Sequence, residues 1–163
     1  MSSTDSSPSP AREYDLVLFG ASSVVGKLTA EYLAGAAPSD LKVALAGRSK
    51  QKLEKVRAGL PAPADQWPIM LADSDDEESI AKMAGSARVV VTTVGPYLNY
   101  GLPLVLACAE AGTDYADLTG EALFVRRSID QAHETAVKNG ARIVHSCGFD
   151  SIPSDLSVLA LHD

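Results

Sequence analysis

The sequence predicts an α/β fold, a doubly wound parallel sheet of about six strands, on three observations. Six short apolar runs alternate with stretches of helical periodicity. The run Val89 to Val91 is continuously apolar, as a strand covered on both faces requires, and a glycine-bearing turn follows the first run. The strands are expected at Asp15 to Phe19, Lys42 to Ala46, Pro68 to Ala72, Arg88 to Val94, Asp114 to Leu118 and Arg142 to His145. Right-handed crossovers in the order 3-2-1-4-5-6 would bring the ends of the first and fourth strands side by side.

The helices follow from their own periods. Val25 to Ala36 carries Leu28, Tyr32 and Leu33 at helical spacing, and Ser49 to Leu60 carries Leu53 and Val56. Ser74 ahead of Asp75, Asp76, Glu77 and Glu78 reads as the cap and acidic first turn of a helix through Gly85. Leu102 to Ala111, Glu121 to Asn139 and Ile152 to Leu161 complete the alternation. Ser151-Ile152-Pro153 is a helix start, with proline placed where its missing donor costs little.

At 163 residues the chain fits one domain, and its 46% hydrophobic content without any apolar run near 18 residues excludes a spanning helix. A net charge of −7 argues against a nucleic-acid surface. Met1 to Arg12 is rich in serine and proline with no apolar segment, so it reads as a disordered tail rather than a secretory signal. The expected domain is therefore residues 13–163, and the expected location is the cytoplasm. Cys108 and Cys147 read as two reduced, buried thiols, and His133, His145 and His162 are too scattered to suggest a metal.

The chemistry begins at GASSVVG, Gly20 to Gly26. A strand-to-helix turn offers backbone N–H groups to a phosphate when a glycine lets the chain bend and clears the approach. The phosphate loop of nucleotide triphosphatases, GxxxxGK[ST], does not fit: five residues separate Gly20 from Gly26, and Leu28 follows Lys27 where a hydroxyl is needed. GxGxxG fails at Ser22, leaving a GxxGxxG spacing with Ser23 in the middle position, from which a hydroxyl could reach a pyrophosphate. An ordinary tight turn is the competing reading of these glycines.

Arg48 favours the cofactor; the competing reading of its cluster is a solvated helix start, although cations are disfavoured at a helix N-terminus unless an anion offsets them. An acid at the tip of the second strand holds the ribose of NAD, whereas an arginine accommodates the 2′-phosphate of NADP. Ala44 to Lys52 contains no acid but supplies Arg48, Ser49, Lys50 and Lys52. The expected cofactor is thus NADP on a Rossmann fold. The turn would hold it through Gly20, Ala21, Ser22, Ser23, Val24, Val25 and Gly26, and the second strand through Arg48 and Ser49. Asp73 either accepts from the adenine amino group or caps a helix. Val94, Gly95, Pro96 and Tyr97 would border the nicotinamide.

VGPYLNYGLPLVLACAEAGTDYADLTGE, Val94 to Glu121, and CGFDSIPSDL, Cys147 to Leu156, resemble the saccharopine dehydrogenase-like oxidoreductases, in particular their trans-acting enoyl reductase branch. The resemblance covers the chain from about Glu13 onward. It implies an N-terminal Rossmann domain followed by a larger substrate domain absent from this chain, which would also carry any oligomer interface. It further implies an NADPH-dependent reduction of an enoyl thioester in the synthesis of polyketide-derived lipids. A polyketide synthase would be the partner, with the enzyme cytoplasmic or peripheral to the membrane.

The family turn usually reads GATGFTG, so Ser22, Ser23, Val24 and Val25 depart from it. An amino-acid dehydrogenase and a catalytically silent scaffold are the alternatives. No catalytic residue is assigned. Tyr97 and Tyr100 flank the nicotinamide loop as proton donors or packing groups. Asp117, Glu121, Asp150 and Asp155 read as caps or structural ligands.

Overall fold

The computed structural model describes residues 12–162, so the expected N-terminal tail lies outside the described residues apart from Arg12. The strands are β1 (Tyr14–Phe19), β2 (Val43–Gly47), β3 (Ile69–Leu71), β4 (Ala87–Thr92), β5 (Asp114–Asp117) and β6 (Ile143–Val144). Between and after them run α1 (Val24–Ala36), α2 (Lys50–Ala58), α3 (Glu77–Ser86), α4 (Tyr97–Ala111), α5 (Ala122–Asn139) and α6 (Ile152–His162). All strand pairs are parallel, in the expected order β3-β2-β1-β4-β5-β6. Phe19 lies beside Ala46 on one flank and Thr92 on the other, so the carboxyl ends of β1, β2 and β4 share one edge.

Alternation along β1 and β2 sorts side chains to the two faces. Val17, Phe19, Ala44 and Ala46 pack with Ile80 and Met83 of α3, Leu104 and Val105 of α4 and Phe124 of α5. Leu18 and Leu45 pack on the other face with Ala30 of α1 and with Leu53 and Val56 of α2. At the opposite edge the Arg12 guanidinium donates to the carbonyls of Gly85 and Ala111, satisfying acceptors at the ends of α3 and α4.

Several boundaries differ from expectation for physical reasons. Leu28 and Tyr32 of α1 face outward at 61% and 73% exposure, while Gly26 and Ala30 are its buried residues. Close packing on the turn admits only small side chains there. Helix α3 is capped by Asp76 rather than Ser74, because the Asp76 carboxylate accepts from the amides of Glu78 and Ser79. Strand β4 ends at Thr92, and α4 begins at Tyr97 rather than Leu102, with Pro103 inside it. Both cysteines are free, but Cys147 is exposed instead of buried. Helix α6 contains no buried residue.

A Cβ on Gly26 would stand 2.2 Å from the carbonyl oxygen of Gly20 and 2.8 Å from Ala21 Cα, both immovable backbone. Gly26→Ala is therefore expected to lower the free energy of urea unfolding by on the order of 1–3 kcal/mol. Gly35→Ala, in open space near the end of the same helix, is expected to raise it by about 0.5–1 kcal/mol. Equal effects at the two positions would show that the contact at Gly26 is not what holds α1 down.

Candidate functional site

A cavity of about 350 Å³ opens across the shared carboxyl edge, over the ends of β1 to β4. Eight of the expected residues line it: Gly20, Ser22 and Ser23 from the turn, Arg48 and Ser49 after β2, Asp73 after β3, and Val94 and Gly95 after β4. Lys52, which the sequence placed in the basic cluster, and Tyr100 line it as well. Thr93, Ser74 and Asp75 join them without having been singled out beforehand as cavity residues.

Six expected residues are placed differently. Ala21 is fully buried in the core, and Gly26 sits beneath the turn. Val24 and Val25 expose their side chains and open the first turn of α1. Pro96 is the N-cap residue of α4. Tyr97 is buried at the α4–α5 contact, its ring 5.7 Å from that of Phe124.

The turn is held by a ring of hydrogen bonds. Gly20 adopts φ +84°, and a Cβ there would meet Thr93 Oγ1 at 2.7 Å. Thr93 Oγ1 donates to the Gly20 carbonyl at 3.1 Å and lies 3.0 Å from Ser23 Oγ, which accepts from Gly26 N at 2.9 Å. Across the Ser23–Thr93 contact either hydroxyl can be the donor. Ser23 Oγ thus caps α1 and ties it to Thr93 beyond β4, while its side chain also lines the cavity. The amides of Val24 and Val25, in the first turn, have no intrahelical acceptor and remain for an anion.

Charge on the second-strand wall is one-sided. Neither α1 nor α2 has an acid in its first turn. Among the described residues no carboxylate pairs with Arg48 or Lys52, whereas Lys50 lies 3.9 Å from Glu54. Ser49 Oγ accepts from Lys52 N at 3.4 Å, which leaves the Arg48 guanidinium uncommitted over the cavity. Asp73 does not cap α3. It stands at the end of β3 with Oδ1 accepting from Asp75 N and its own amide donating to Ser79 Oγ.

Beyond Thr93 the edge becomes apolar. A second cavity of about 390 Å³, sharing Thr93 with the first, is walled by Val25, Val91, Leu118, Cys147 and Phe149. Its floor ends at Asp117, which is 2% exposed and has every acceptor position engaged. Oδ1 accepts from Thr119 N and Ser146 N, and Oδ2 from the Tyr115 hydroxyl; His145 Nδ1 lies 2.7 Å from Oδ2. His145 Nε2 is in turn 2.8 Å from Ser128 Oγ, itself buried in the middle of α5. Burial acts to raise the Asp117 carboxyl, but the bonds from His145, Thr119 and Ser146 outweigh it and hold the group below the usual carboxylate range.

Tyr97 does not fit the role of proton donor. Burial pushes its hydroxyl up to about 12, and it donates to the Thr92 carbonyl at 3.0 Å. Tyr100, at the cavity wall, is the exposed one of the pair. Among the described residues no cluster of three His, Cys, Asp or Glu side chains is placed to hold a metal ion. None of the helices there is long and apolar enough to cross a membrane.

An open helix start at the switch point of a parallel sheet, beside unpaired cations on the second strand, defines a dinucleotide-binding domain of the Rossmann type. The chain belongs to the saccharopine dehydrogenase NADP-binding domain family, whose model matches residues 16–144. NADP is accordingly its cofactor.

A Mycobacterium tuberculosis protein named as a candidate trans-acting enoyl reductase is 62% identical over 151 residues, covering 93% of this chain and 36% of that protein. The Mycobacterium leprae trans-acting enoyl reductase is 56% identical over the same length and coverage. The chain thus spans about a third of these relatives. The apo saccharopine dehydrogenase (L-Glu forming) of Saccharomyces cerevisiae shares the fold at a TM-score of 0.66 and 19% identity, over 84% of this chain and 28% of that one. The Citrobacter sp. triphenylmethane reductase complexed with NADP(H) does so at 0.58 and 16%, over 80% and 48%.

The Asp117 cluster makes a prediction about acid. A carboxylate held below its unfolded value of about 3.9 stabilises the fold fully above that pH, and the contribution is lost as pH falls through the folded value. Asp117→Asn is expected to lower stability at pH 7 by on the order of 2–3 kcal/mol and to flatten the decline on acidification. Urea titrations at several pH values measure both. Parallel declines in the two proteins would remove Asp117 as the group responsible.

Proposed function

We propose that this chain is the cofactor-holding part of an NADPH-dependent oxidoreductase that reduces the conjugated double bond of an enoyl thioester. The observation that carries the reading is the pairing of the turn into α1, through Gly20, Ser22 and Ser23, with the unpartnered Arg48 and Lys52 around one cavity.

The residues present fit NADP. A Cβ on Gly20 would meet Thr93 Oγ1 and Val94, and one on Gly26 would strike the Gly20 carbonyl, so the two glycines let the turn close tightly and present the first amides of α1 to a pyrophosphate. Arg48 offers a planar fork of donors to a 2′-phosphate, with Ser49 and Lys52 beside it. Asp73 stands where an adenine amino group would pass, and Val94 and Gly95 where the nicotinamide would turn toward the second cavity.

When bound, NADPH supplies a hydride. The chain's own part is orientation and exclusion of water. The Thr93 ring fixes the turn against β4, and Val91, Leu118 and Phe149 provide an apolar wall on which an acyl chain can lie. Tyr100, exposed at the cavity wall, is a side chain on this edge from which a proton could come.

The relatives' name, trans-acting enoyl reductase, extends the reading to an acyl chain presented by a separate protein. The partner proposed is a polyketide synthase making lipids. Contact with a membrane surface and assembly through further domains belong to the same proposal.

Calorimetric titration tests the cofactor assignment on the chain itself. NADPH is expected to bind at least about tenfold more tightly than NADH, a difference of about 1.4 kcal/mol, and Arg48→Ala to remove most of that preference. Equal affinities for the two cofactors before and after the substitution would end the assignment of Arg48. The reaction is tested in the native protein that carries this domain, by loss of NADPH absorbance on addition of an enoyl thioester.

A further inference from the structure

The fourth-strand wall of the polar cavity, Thr93 to Gly95 with Tyr100, lies beyond the last residue of β4. The β1 ladder reaches it only at Thr93, whose amide donates to the Phe19 carbonyl at 2.9 Å, and Pro96, the N-cap of α4, makes no side-chain cap bond. The acceptors come from a distant place. Glu121 Oε1 accepts from Tyr97 N at 2.8 Å and Oε2 from Leu98 N at 2.9 Å, so one carboxylate takes two amides of the first turn of α4. Hydrogen bonds to a charged acceptor are the strong ones, and a two-point grip fixes direction as well as distance.

Glu121 is itself anchored to the buried edge. Its amide donates to Thr119 Oγ1, Thr119 N donates to Asp117 Oδ1, and Ser146 Oγ donates to the Thr119 carbonyl. A continuous strut therefore runs from the interior at Asp117 to the start of α4. A second brace passes from Leu118 N to the Tyr97 hydroxyl and on to the Thr92 carbonyl. Glu121 does not line the polar cavity.

We propose that Glu121 is a positioning residue for the nicotinamide side of the cofactor cavity. Its carboxylate holds Gly95, Pro96 and the first turn of α4 at the height that a nicotinamide ring needs. The inference rests on the cofactor reading given under Proposed function. It adds that the two halves of the dinucleotide depend on different residues: the adenosine half on Arg48 and the α1 turn, the nicotinamide half on the grip of Glu121.

Calorimetric titration of the chain with NADPH and with 2′,5′-ADP, which keeps the 2′-phosphate but lacks the nicotinamide, separates these dependences. Glu121→Ala is expected to weaken NADPH binding by about tenfold or more while leaving 2′,5′-ADP within about twofold. Glu121→Gln, with one acceptor oxygen left, is expected to fall between and restore part of the loss. It also carries the test if thermal unfolding shows that the alanine variant does not fold.

Loss of both ligands to the same degree would mean a merely structural role and overturn the proposal. So would NADPH affinities unchanged in both variants while the parent binds both ligands. A parent chain that binds neither ligand would overturn the cofactor reading, and this inference with it.

Discussion

Everything on the functional edge depends on how closely two pieces of backbone approach. Gly26 lies on the carbonyl of Gly20 with no room for a methyl group, and that approach sets where α1 begins relative to β1. From it follow the small inward residues of the helix, Gly26 and Ala30, and the outward turn of Leu28 and Tyr32. The Thr93 hydroxyl then ties the same turn to β4. The amides at the mouth of α1 are therefore fixed by steric contact and by a ring of neutral hydrogen bonds, with no charge consumed in holding them.

Periodicity carried the topology. Alternation of short apolar runs with helical stretches gave the parallel wound sheet, and right-handed crossovers with the usual dinucleotide-binding order gave the strand sequence that the structure has. Periodicity did not reveal which stripe of α1 faces inward. Leu28, Tyr32 and Leu33 mark a helix, yet the controlling contact is made by a residue with no side chain, which carries no hydropathy signal. The start of α4 was hidden for a related reason. Its capping group arrives from Glu121 on another loop, so nothing adjacent to Tyr97 announces it.

The polar half of the cavity was more legible than the rest. An arginine with no acid nearby is visible as a string of letters, and Arg48 stands uncommitted over the cavity in the structure. The tie of Ser23 to Thr93 was not legible, because its neighbour in space lies far along the chain. Asp117, His145 and Ser128 meet only when β5, β6 and α5 are assembled. Asp117 read as a cap or structural ligand and His145 as a scattered histidine, Ser128 carried no signal, and only the folded arrangement makes them one network.

Two helices open onto this edge, and they greet an incoming anion differently. At α4 the amides are already saturated by an internal carboxylate that adds its own negative charge; at α1 they are bare and flanked by a guanidinium. An elongated, multiply charged guest is thus sorted head from tail before any ring or base is recognised. On a chain whose net charge is −7, that asymmetry sets one bare, cation-flanked helix start beside another whose amides are already taken.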